Sequence, residues 1–156
     1  MTMKVLSDSS SASAPVSPVA NHFSLPQGLI GFKDYTRAEL LYLPDHLPFL
    51  WLKLYRGTES VHFIVIEPGG LVAGYTPELF DADAEGLALR DSSEAMLLNI
   101  VTLRHQSPLD ATINLVGPIV MNRRTRIARQ LVIANYSQYS AHWPLVDQSA
   151  AALATA

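Results

Sequence analysis

The chain has 156 residues, enough for one domain with a real core and too few for two comfortable ones. Its 49% hydrophobic and 16% charged residues make a lightly charged globular composition, and a formal net charge of -3 offers nucleic acid no general attraction. With no cysteine, disulfides, zinc–thiolate sites, iron–sulfur clusters and cysteine nucleophiles are excluded.

The N-terminus holds Ser, Ala and Pro rather than the apolar stretch of a secretory signal, and no run approaches the ~18 apolar residues of a membrane helix. The expectation is a soluble, cytoplasmic protein with no membrane partner. Residues 7–21, SDSSSASAPVSPVAN, are poor in large apolar groups and cannot offset the entropy of ordering. Residues 1–21 are therefore expected to form a disordered tail and 148–156 a flexible one, with one domain over 22–147 between them.

Within that domain, short apolar runs follow one another: Leu40–Leu43, Phe49–Leu54, His62–Ile66, Leu97–Thr102, Ala111–Val116, Ile119–Met121 and Arg126–Ile133. Gly, Pro, Asn or Asp bound most of them, the mark of strands joined by tight turns. Asp81–Arg90 reads as a short helix with Asp81 as N-cap and acids in its first turn, weakened by Gly86. Asp91–Glu94 reads as a second capped turn. The fold class expected is mainly β: a small, partly open antiparallel β-barrel with one or two short helices.

Candidate chemistry is sparse. The histidines His22, His46, His62, His105 and His142 lack the HxH or HExxH spacing that brings two imidazoles to one metal. GxSxG is absent, and Glu67-Pro-Gly-Gly-Leu71 lacks the lysine of a phosphate loop and reads as a turn. The reading is a non-enzyme without metal or cofactor.

Two charge clusters remain. Arg123, Arg124, Arg126 and Arg129, with Arg104 as a possible neighbour, surround a polar hairpin turn whose strands carry aliphatics rather than stacking rings. Nucleic-acid binders usually add aromatics and a basic balance, so an RNA-binding module is the lesser reading, beside a small-ligand barrel. Between Glu78 and Glu94 lie the acids Glu78, Asp81, Asp83, Glu85, Asp91 and Glu94 against the single base Arg90. This is either a solvated face or a surface that steers a basic partner.

The order of segments resembles the flagellar assembly factor FliW family. Phe23-Ser-Leu-Pro-Gln-Gly-Leu-Ile-Gly-Phe32 is similar to its F-x-x-G-[IL]-x-G-F opening, and Pro48-Phe49-Leu-Trp-Leu52 to its proline–phenylalanine strand. Phe63 to Pro68, Ile100-Val-Thr102, Ala111-Thr-Ile-Asn-Leu115 with Gly117-Pro-Ile-Val-Met-Asn122, and Arg126, Ala128 and Gln130 follow in the family's order.

The resemblance implies a non-enzymatic, barrel-like protein that binds CsrA, a dimeric mRNA-binding repressor, relieving repression of flagellin synthesis, and that also binds flagellin. Where that family has an N-terminal strand, this chain has Ser/Ala/Pro sequence, which implies a missing or degenerate first hairpin. Ile119, Met121 and Asn122 are expected as docking surface, Arg123, Arg124 and Arg126 as its rim, and Asp81, Asp83 and Glu85 as a charge that excludes RNA from the partner.

Overall fold

In the computed structural model, residues 2–5, 21–103, 105 and 110–145 are described. The chain runs through β1 (Thr2–Lys4), β2 (His22–Ser24), β3 (Arg37–Leu41), β4 (Leu50–Arg56), β5 (Glu59–Ile66) and β6 (Glu78–Phe80). It continues through α1 (Asp81–Gly86), β7 (Ala95–Leu103), β8 (Ala111–Ile113), β9 (Ile119–Asn122), β10 (Ile127–Gln130) and β11 (Trp143–Pro144).

The middle of the chain is an antiparallel meander. β2 pairs with β3, β3 with β4, β4 with β5, and β5 with β7. Alternation sets which side chains face in: Phe23, Ala38, Leu40, Leu50, Leu52, Leu54 and Val65 belong to one buried cluster, and their sequence neighbours on the strands face outward.

β8 and β9 behave as one bent strand. β8 pairs with the C-terminal part of β7 (Val101↔Ile113) and β9 with its N-terminal part (Leu98↔Ile119). Residues 114–118 bulge between them, as the Gly117-Pro118 pair anticipates. Asn114 holds the bulge, its Oδ1 accepting from the amides of Val116 and Gly117 at 3.1 and 2.9 Å.

β10 returns antiparallel to β9 and meets β2 in a short parallel contact at Ile127↔Ser24. The ring β2-β3-β4-β5-β7-β9-β10 is thereby closed, with β8 and β11 continuing off β7. A partly open barrel was the expectation from the strand runs; β7 closes it because its nine residues are long enough to pair with β9 at one end and β5 further along.

Met96, Leu98, Ile119, Met121 and Ala128 complete the interior cluster. These side chains occupy the space that a small-ligand barrel would need to leave open. A second cluster lies on the other face of β7 and β9: Leu97, Val101, Val120, Ile113 and Leu115 pack with Val5, Leu79, Leu87, Leu131 and Ile133. β7 is buried on both faces for this reason, and it reads as a continuous apolar run rather than an alternating one.

Three expectations are corrected here. Residues 1–21 are not uniformly a tail: Thr2–Lys4 pairs antiparallel with β6, and Val5, 1% exposed, enters the second cluster. A first strand is therefore present, but it pairs with β6 and forms no hairpin with β2; it precedes the Ser/Ala/Pro stretch, whose residues 6–20 lie outside the described residues, as do 146–156. The helix stops at Gly86 and has no side-chain cap, Asp81 being its first residue and Phe80 its N-cap. Asp91, by contrast, caps as expected, accepting from the Ser93 amide at 2.8 Å.

Candidate functional site

The β9–β10 turn is built around Asn122, which is fully buried. Its Oδ1 accepts from the amides of Arg124 and Thr125 at 2.8 and 3.2 Å, tying the turn to its own start. Its Nδ2 donates to the carbonyls of Leu87 and Ala88 at 2.8 and 3.2 Å, tying the turn to the segment after α1. Bonding of this kind offsets the cost of burying an amide. Asn122 is thus a structural staple, and Ile119 and Met121 are interior core, at 0% and 2% exposure. The expectation that these three residues form a docking surface is corrected: β9 is covered on both faces, so its alternation offers no side to solvent.

The arginines are at the surface, as expected. Arg123 is exposed and, among the described residues, its side chain makes no ion pair. Arg124 reaches back across the turn, its Nε donating to Glu94 Oε2 at 2.7 Å and its Nη2 to the Ala88 carbonyl at 2.8 Å. Arg126 takes a positive φ of 60° and donates from Nε and Nη2 to the His22 carbonyl at 3.3 and 3.2 Å. Partial burial lowers the Arg126 pKa, and nearby Arg123 adds to that. Arg104 lies outside the described residues.

The acids expected to form a separate patch instead lie against these arginines. Asp83 pairs with Arg129 at 3.6 Å. Glu94 accepts from Arg90 at 3.2 Å as well as from Arg124, and these bonds hold its pKa down to about 2. Asp81 and Glu85 on α1 are exposed, as is the phenyl ring of Phe80 directly before them. The two charge clusters of the sequence meet in one mixed surface, joined by the Asp83–Arg129 and Glu94–Arg124 pairs.

Sequence reasoning missed several polar anchors. Gln130 accepts from the Ile30 amide at 3.0 Å and donates to the Gly117 carbonyl at 3.1 Å, joining the glycine loop after β2 to the bulge. Asn99, buried, donates to Tyr75 Oη at 3.2 Å and to the Asn114 carbonyl at 3.0 Å. Tyr42 bonds to Glu67 at 3.3 Å, and burial together with that carboxylate pushes its hydroxyl up to about 12. Asn114 and Gln130 stand in the sequence only as motif letters and Asn122 as expected docking surface; Asn114 anchors its own bulge, whereas Asn122 and Gln130 hold partners 35 and 100 residues away.

Fold and site define a small closed-barrel protein in which a bent-strand hairpin is pinned by buried amides and rimmed by paired charges. A family model described as FliW protein matches residues 12–145. The chain is 33% identical over 131 residues to the flagellar assembly factor FliW of Geobacter sulfurreducens, covering 84% of this chain and 80% of that one. It is 34% identical over 124 residues to that of Natranaerobius thermophilus, covering 80% and 81%. A crystal structure of the flagellar assembly factor FliW superposes with a TM-score of 0.69 at 28% identity, over 85% of this chain and 89% of the other. The chain belongs to the FliW family of flagellar assembly factors.

Proposed function

We propose that this protein acts in the cytoplasm as a non-enzymatic regulator of flagellar assembly, binding a CsrA-type mRNA-binding repressor and flagellin. The family match across 12–145 carries this reading, and apart from the glycine loop after β2 the motifs in which the family resemblance lies fall largely on the barrel ring and the hairpin.

The binding surface we assign is the exposed side of α1 and the adjoining turn. Phe80 supplies apolar area, Asp81, Asp83 and Glu85 supply negative charge, and Arg123 and Arg124 form the rim. A partner whose RNA-binding face is basic would find complementary charge in the acids. Once docked, those same acids would repel phosphate near the RNA path.

The test is co-elution of the purified protein with its host's CsrA and flagellin in size-exclusion chromatography. A complex with either is expected, and weakening of the CsrA complex by Asp81→Lys with Glu85→Lys is expected to follow. Failure to bind both proteins would overturn the reading.

A further inference from the structure

The seam that closes the barrel is unusually short, and a groove opens beside it. β2 and β10 are in register only at Ser24↔Ile127, with the Ser24 amide donating to the Arg126 carbonyl at 2.9 Å. Back toward His22, β2 keeps β3 on one side, and among the described residues no strand pairs with its other side. The resulting groove, of about 380 Å³, is lined by His22, Phe23, Ser24, Arg37, Ala38, Thr125 and Arg126.

Its chemistry is one-sided. Arg37 and Arg126 bring two guanidiniums, His22 an imidazole, and Ser24 and Thr125 hydroxyls; among the described residues none that lines it is acidic. Glu39, which touches the wall through His22 Nε2 at 3.5 Å, is also engaged by Tyr55 Oη at 2.7 Å. Among the described residues Arg37 has no ion-pair partner, and Arg126 is satisfied by a backbone carbonyl alone. A guanidinium that donates to a neutral carbonyl at more than 3 Å gains from exchanging it for a carboxylate, which is the stronger and bidentate acceptor.

The backbone supplies the second element. The His22 carbonyl faces the place of a missing strand and is held by the Arg126 side chain instead. Movement of that side chain onto a ligand frees the carbonyl for a peptide N–H, as in strand addition to a sheet edge.

We propose that this groove is a docking site for an extended acidic peptide segment of a partner protein, with Arg37 and Arg126 receiving its carboxylates and β2 its backbone. Peptide is favoured over RNA because the phenyl ring of Phe23 is turned into the barrel, which leaves the His22 imidazole, held against Glu39 at 3.5 Å, as a poor platform for base stacking. The groove is also too small for the run of phosphates on which RNA affinity depends. This goes beyond the CsrA and flagellin reading and does not depend on it.

The probe is a fluorescent hexaglutamate peptide, followed by anisotropy, with hexaglutamine as the neutral control. Binding to hexaglutamate only is expected, with amide shifts in 15N spectra centred on His22–Ser24 and Thr125–Arg126. Arg37→Glu is expected to weaken it about tenfold or more, whereas Lys33→Glu, the same charge change on an exposed residue that does not line the groove, leaves it within about twofold. Absence of binding, equal losses in the two variants, shifts centred elsewhere, or displacement by single-stranded RNA at lower concentration than by unlabelled hexaglutamate would each overturn the proposal. Since neither CsrA nor flagellin is used, failure here leaves the regulator reading intact.

Discussion

Arg124 and Glu94 meet at 2.7 Å across 30 residues of sequence, joining the β9–β10 turn to the segment that enters β7. The contact belongs to a three-residue network, since Arg90 donates to the same carboxylate and its amide reaches Glu94 Oε1 at 2.8 Å. One carboxylate thus gathers the α1–β7 loop and the hairpin into one surface.

That network sets a pH dependence. The Glu94 pKa is lowered from 4.5 in an unfolded chain to about 2 in the folded one. A depressed carboxylate contributes stability above its unfolded pKa and loses it as pH falls through the folded value. Urea midpoints of the wild type and Glu94→Gln should therefore differ above pH 5, and the gap should close between about 4.5 and 2. A gap that stays constant across that window would contradict the assignment.

The reassignment of β9 separates two variants that the sequence alone would class together. Ile119→Ala removes a fully buried side chain from the barrel interior and should cost about 2–5 kcal/mol in chemical denaturation. Arg123→Ala removes an exposed side chain and should stay within about 0.5 kcal/mol, any effect being confined to partner binding. If Ile119→Ala is silent in denaturation but abolishes binding, the core assignment is wrong.

Asn122 should be intolerant of even conservative change. Asn122→Ala removes four hydrogen bonds and strands buried backbone groups, with an expected loss of about 2–4 kcal/mol. Asn122→Asp keeps the acceptor for Arg124 and Thr125 but turns an oxygen on the Leu87 and Ala88 carbonyls. It should therefore be no better than alanine, which thermal melts of the two variants can check.

The glycine loop after β2 gives a paired test. A Cβ on Gly28, at φ 62°, would stand 2.2 Å from the Phe32 carbonyl oxygen, a backbone atom that cannot yield cheaply. Gly31, at φ 87°, has open space around the same position. Gly31→Ala should cost about 1 kcal/mol from backbone strain alone, while Gly28→Ala should cost several times more or fail to yield folded protein. Equal melting temperatures would refute this.

How much was legible in advance varied with the range of the interactions. The strands around Leu50–Arg56 and Ala95–Leu103 were visible because apolar density survives in any context. β2 and β6 were not, since three-residue strands carry too little pattern. β1 was hidden for a further reason: Thr2–Lys4 is a strand only because Glu78–Phe80 pairs with it. Arg123 and Arg124 are exposed and Arg126 half-buried, whereas Ile119, Met121 and Asn122, expected beside them as docking surface, are buried. Apolar residues beside a turn look the same whether the strand is an edge or is covered on both faces.

By itself, the sequence determined the class of fold, the family, the bent strand at Gly117-Pro118 and the polar turn that follows it. The family rests on the order of its motifs, and the rest on local chemistry: alternation, missing amide donors and turn residues act within a few positions. Only the tertiary structure decided that the barrel closes, that β9 is core, that the acids and arginines form one paired surface, and that a basic groove opens beside β2. Each of those depends on contacts such as Arg126 with His22, 104 residues apart in the chain, where no local preference specifies the partner.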